Sequence, residues 1–196
     1  MPASAQYDRV DPVHSPIEKG VLVSRSVNLP HIDVDSVFHM MESPRTIWSS
    51  PQQPFSLSFG AAITLCASGE NRFEQIKQAA TLSLSDIDIA TTSDNIPALK
   101  FFGGFSFDAH HKESPLWSGF PSALFILPRV QLVQSKTGFE LTLNEYGTDI
   151  DPSQVELSLL SLKSSLESIP NPPRSSPSTQ ILKLTPSVSN KLWTSQ

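Results

Sequence analysis

Apolar and polar positions alternate most regularly over Phe55–Cys66, FSLSFGAAITLC. Phe55, Leu57, Phe59, Ala61, Ile63 and Leu65 fall on one side, and Ser56, Ser58, Gly60 and Thr64 on the other. As a single strand rising about 3.3 Å per residue it would run close to 40 Å, which implies a large sheet rather than a small barrel. Gly20–Asn28 alternates too, with Val21, Val23 and Val27 on one face and Arg25 among them. An arginine there suits an edge or rim position. Arg45–Ser49 is a short strand candidate, followed by a turn fixed by Pro51 and Pro54. Near the C-terminal side, Phe139, Leu141 and Leu143 alternate with Glu140, Thr142 and Asn144. With Val130–Val133 and a Ser135–Gly138 turn before them, Arg129–Tyr146 predicts a β-hairpin with one wet face.

Three segments carry helical spacing. Asp33 is an N-cap candidate before Val34, Val37, Phe38 and Met41, and Pro44 stops that helix. Asn71 and Glu74 have the spacing of a capping box, opening a helix through Phe73, Ile76 and Ala80 to about Ser83. Its narrow apolar stripe predicts a surface position. Asp151-Pro152-Ser153-Gln154 opens the longest helix, with Val155, Leu159, Leu162, Leu166 and Ile169 as a core-packing or interface stripe. Leu84–Pro97 reads as a loop. Residues 1–19 read as a flexible lead-in, 170–178 as a Pro/Ser-rich linker, and Ile181–Leu184 as a brief strand.

The stretch Leu99–Phe125, LKFFGGFSFDAHHKESPLWSGFPSALF, organises the middle of the chain. Two aromatic-rich strands, Phe101–Phe107 and Ala123–Leu127, flank a loop carrying Trp117 and Phe120-Pro121. Phe101, Gly103, Phe105 and Phe107 share one face of the first strand, and Phe102, Gly104 and Ser106 the other. The apolar Phe102 and the adjacent glycines predict cover on both faces and a close approach of another backbone. Proline at 128 predicts an edge or a bulge.

Composition narrows the function class. Charged residues are 17% of the 196 and the net charge is -5, which argues against a nucleic-acid footprint. The lone Cys66 excludes an internal disulfide and a cysteine metal cluster. Neither a signal peptide nor an apolar run long enough to cross a bilayer is present, so the expected location is the cytoplasm, without membrane contact. His14, His31, His39, His110 and His111 form no helical i, i+4 pair, and His110-His111 reads as a solvated loop. Asp86, Asp88 and Asp94 lack the glycine and closing glutamate of a calcium loop. No phosphate-cradling or nucleophile-elbow motif occurs. The residues themselves single out no catalytic, cofactor-binding or metal-binding position.

The order of motifs goes further. Trp48 before Pro51, FSLSFGAA, Gly69 with RFEQIKQAA, FFGGFSFD, and W-x2-FP-x-A-x-F-x-LPR (Trp117 to Arg129) resemble the N-terminal half of isochorismate synthases. Those enzymes belong to the chorismate-utilising family, with the anthranilate, aminodeoxychorismate and salicylate synthases. The resemblance spans roughly Gly20 to Trp193.

It implies an α+β fold, part of a large two-layer, mostly antiparallel β-sandwich with helices outside. It also implies isomerisation of chorismate to isochorismate for menaquinone or for siderophore and salicylate synthesis. In the family a lysine is general base, a glutamate is general acid, and further glutamates bind Mg2+ as clamp and template. Those groups lie beyond a tryptophan that Trp193 resembles. Residues 20–169 are thus expected to be scaffold, and 179–196 the truncated start of the chorismate-binding half. No residue here inherits a catalytic role or a place on the Mg2+, and the chain alone is expected to be inactive. Chorismate would bind only with the missing half, supplied as a complementary chain. Two alternatives stay open. Met40-Met41-Glu42-Ser43 partly matches the Leu-Leu-Glu-Ser of the anthranilate synthase feedback site. A non-catalytic module could use the Val155–Ile169 stripe to bind a partner.

Overall fold

The structure is a computed structural model that describes residues 19–30, 32–92, 99–108 and 121–169. In chain order it contains β1 (Val21–Leu29), α1 (Val34–Met40), β2 (Arg45–Ser50), β3 (Gln53–Phe59), β4 (Ile63–Ala67) and α2 (Arg72–Ser83). There follow β5 (Ile87–Thr91), β6 (Phe102–Phe105), β7 (Ala123–Leu127), β8 (Val130–Gln134), β9 (Phe139–Gly147) and α3 (Pro152–Glu167). The fold is α+β. A six-stranded sheet has the order β2-β3-β8-β9-β1-β5, and a three-stranded sheet the order β4-β7-β6. All pairs are antiparallel except β1 with β5.

The expected single strand over Phe55–Cys66 is two strands in two sheets. β3 ends at Phe59, and Gly60 takes a φ of +61°, a left-handed conformation that glycine adopts without a Cβ penalty. β4 resumes at Ile63 in the smaller sheet. The partner does the same: β7 ends at Leu127, Pro128 intervenes, and β8 starts at Val130 in the larger sheet. Since β3 pairs with β8 and β4 with β7, one two-stranded ribbon bends at Gly60 and Pro128 and joins the two sheets. Period-two alternation continues through such a bend, so the pattern alone hid it. Pro128, expected at an edge or bulge, sits at this bend, where a ladder N–H is not needed.

One face of the large sheet carries the main core. Val23, Leu57, Phe59, Leu132, Phe139 and Leu141 pack with Val37 of α1 and with Val155, Leu159 and Leu166 of α3. The α3 stripe is therefore core packing, one of the two roles its spacing allows. Asp33 and Asp151 cap their helices, accepting from the N–H groups of Ser36 and Ser153. The capping box at α2 does not form. Asn71 holds φ -86° and ψ 12°, away from the extended N-cap conformation, and its side chain makes no cap bond.

The opposite face of the large sheet is polar and buried, not wet. Thr142 is 2% exposed, Asn144 0% and Glu140 8%. They share it with Ser24, Ser26, Ser56, Ser58 and Gln131, all buried. Cross-strand bonds compensate part of the desolvation: the Ser26 and Thr142 hydroxyls lie 2.8 Å apart, and Gln131 donates to Ser56 over 3.2 Å. Alternation shows that two faces differ, but not which is covered.

Two further expectations change. Leu84–Pro97 contains the edge strand β5, whose short polar sequence gives little signal. Arg25 is not on a rim but buried at 8% exposure, because Asp88 of β5 holds its guanidinium at 2.8 Å.

Candidate functional site

The residues that carry the motifs gather on the smaller sheet and at the ribbon bend. In β6, Gly103 faces Phe125 of β7 so closely that an added Cβ would meet the Leu124 carbonyl and lie 2.6 Å from Phe125 Cα. This is the predicted close backbone approach. Gly104 has open space at the same point. Cover on both faces is not found: β6 is an edge strand with exposed Gly104 and Phe105, and Phe107 just beyond it is fully exposed.

Aromatic rings and one arginine tie α2 to this strand. Phe105 lies 4.2 Å from Phe73 of α2 and 4.9 Å from Phe125, ring centre to ring centre. Arg72, only 5% exposed, donates to the carbonyls of Gly69 and Ser106 and lies 4.7 Å over the Phe73 ring. Ala123 and Leu127 are fully buried. Arg129, the last residue of the LPR motif, donates twice to Glu145, over 2.9 and 2.7 Å, with Glu42 at 3.6 Å. The hydrogen bond to Glu145 is the main reason its guanidinium sits above its already high ordinary pKa. Arg72, Gly103, Phe105, Ala123, Leu127 and Arg129 thus each have a packing or pairing role.

An open groove of about 610 Å³ lies between α1 and α3. Met40, Met41, Leu157 and Leu162 give it apolar walls, Ser158, Ser161 and Ser165 give hydroxyls, and Arg129 with Glu42 closes one end. Two carboxylates against one guanidinium leave that end mildly negative. Such a groove suits a small amphiphile better than a dicarboxylate such as chorismate.

The remaining candidates are accounted for individually. His39 meets Phe38 edge-on at 5.9 Å. Burial pushes the Cys66 thiol up from its ordinary pKa, which disfavours the thiolate a nucleophile needs. Asp88 is held below the usual carboxylate range by its hydrogen bond to Arg25. His14, His31, His110-His111, Asp94, Trp117, Phe120, the linker, Ile181–Leu184 and Trp193 lie outside the described residues. Sequence patterning missed Arg72, Asn144 and the Arg129–Glu145 pair. An unmatched arginine in an apolar run was the one available signal, and it does not name the partner.

A family model described as chorismate binding enzyme matches residues 9–196. The chain belongs to the chorismate-binding enzyme family. A search of curated proteins finds no match. The family match covers both sheets, the ribbon bend and the three helices of the described residues. Among the described residues no group of three His, Cys, Asp or Glu side chains converges as a metal site. Glu42 at the groove and Glu145 are both engaged by Arg129, and Asp88 by Arg25. These donors do not fit a resident Mg2+. No helix among the described residues is long and apolar enough to cross a membrane.

Proposed function

We propose that residues 20–169 are the scaffold half of an isochorismate synthase, an isomerase that converts chorismate to isochorismate. The observation that carries this reading is the family match over residues 9–196, taken with FGGFSFD and FP-x-A-x-F-x-LPR as they stand here. In this proposal β6, β7 and the bend at Pro128 set the geometry of the smaller sheet. The groups that handle chorismate and Mg2+ belong to a chorismate-binding half beyond these 196 residues. That half can be part of the same polypeptide or a complementary chain. The engaged state of Glu42, Glu145 and Asp88 supports a structural role for the acids on this side. Isochorismate would feed menaquinone, siderophore or salicylate synthesis, in the cytoplasm.

One observation favours a second reading. Met40, Met41 and Glu42, the segment that partly matches the anthranilate synthase feedback motif, line the α1–α3 groove. A groove with thioether walls and a carboxylate at its end could take an aromatic amino acid. Calorimetry with tryptophan separates the two: no heat of binding is expected for an isochorismate synthase scaffold. Saturable binding lost in Glu42→Ala would favour the anthranilate synthase reading. Copurification with a chorismate-binding half supports either enzyme reading, and copurification with an unrelated protein would favour a non-catalytic module.

A further inference from the structure

Ser24 of β1 and Asn144 of β9 stand directly opposite each other on the buried polar face of the large sheet. Both are 0% exposed. Asn144 spends its amide N–H on the Pro128 carbonyl, 2.9 Å away, but its Oδ1 has no hydrogen-bond partner, and neither has Ser24 Oγ. One rung along the same two strands, the opposed Ser26 and Thr142 hydroxyls bond directly at 2.8 Å. On this face Ser26 bonds Thr142 and Gln131 bonds Ser56, whereas Ser58 Oγ has no partner and the Ser24–Asn144 rung is left with an acceptor and a hydroxyl together. Groups that are this buried almost always have a partner.

Directly opposed residues of an antiparallel pair hold their Cβ atoms about 4.5–5.5 Å apart. The two side chains are therefore neighbours on one buried face, each with a polar atom left to satisfy. We infer that one ordered water occupies this rung, donating to Asn144 Oδ1 and sharing a hydrogen bond with the Ser24 hydroxyl. Water fits better than an ion, because the rung presents one neutral acceptor and one hydroxyl and no charge. With this water, Asn144 is anchored at both ends of its amide. Its N–H holds the bend of the inter-sheet ribbon, and its oxygen reaches β1 through the solvent molecule. The bend, β9 and β1 then form one hydrogen-bonded unit, independent of which chorismate reaction the family member performs.

Two measurements on the full chain test this. In a crystal structure at about 1.8 Å or better, a density peak is expected within hydrogen-bond distance of both Ser24 Oγ and Asn144 Oδ1. Absence of that peak, or a direct bond between the two side chains, overturns the inference. In thermal unfolding, Ser24→Ala takes a partner from the water, and Tm is expected to fall by several degrees. A raised or unchanged Tm would mean that the hydroxyl was a true orphan whose removal costs nothing, and the water would be rejected.

Discussion

The side-chain amide of Asn144 donates to the carbonyl of Pro128 over 2.9 Å, and the backbone N–H of Asn144 donates to the carbonyl of Arg129 over 2.7 Å. One residue of β9 thus holds both carbonyls of the segment where the ribbon leaves the smaller sheet for the larger. Across that bend, Gly60 N–H donates to Pro44 and Ala62 N–H to Leu127, each over 2.9 Å. The chain changes sheets without abandoning these backbone groups, which a buried bend requires.

Replacing Asn144 should therefore weaken the link between the sheets. Asn144→Ala leaves the Pro128 carbonyl without its side-chain donor in a fully buried place, at a cost of about 1–3 kcal/mol. Asn144→Asp puts a carboxylate against that carbonyl and should cost more than about 3 kcal/mol at neutral pH. Denaturant unfolding of the two variants measures both values, and their order is the diagnostic: aspartate worse than alanine.

The adjacent glycines of β6 should respond oppositely. Gly103→Ala drives a Cβ into the Leu124 carbonyl and Phe125 Cα of β7, so the β6–β7 ladder must open. Gly104→Ala meets nothing within 4 Å and should change stability by less than about 0.5 kcal/mol. Hydrogen exchange of the β7 amides reports the difference, with protection lost in the first variant and kept in the second.

Arg25 and Asp88 set an acid-sensitive tie on the edge strand β5. The Arg25 hydrogen bond lowers Asp88 from its ordinary value of 3.8, so the tie is fully present above that pH. It is lost as pH falls through the lowered value and the carboxylate takes up a proton. Asp88 is 44% exposed, so solvent screens the pair and its contribution is roughly 0.5–1 kcal/mol. Asp88→Asn should lower stability by that amount at pH 7 and flatten the loss of stability below about pH 4. Urea midpoints at pH 7 and pH 3 measure both effects.

Burial that raises the Cys66 pKa also makes the thiol slow. Reaction with a thiol reagent at pH 7.5 should be slower in the native chain than in denaturant. A native rate equal to the denatured one would mean that β4 does not shield it.

Much of the fold was legible because helix caps and stripes are local. Asp33, Asp151 and the Val155–Ile169 spacing need only their own neighbours to be read. The bend at Gly60 was hidden because alternation carries on through it. The polar face was misread because Thr142 and Asn144 look the same in a row whether water or protein covers them. β5 was missed because its place depends on Arg25, more than sixty residues earlier, and not on its own pattern. The motifs around FGGFSFD and LPR pointed to the chorismate-binding enzyme family, and several of their residues build the small sheet and its junction.

The central proposal is that residues 20–169 supply architecture and not the groups that transform chorismate. Purified chain incubated with chorismate and Mg2+ and followed by mass-resolved chromatography tests it most directly. Chorismate returned unchanged is the predicted result, and isochorismate formed above the enzyme-free control would contradict the account.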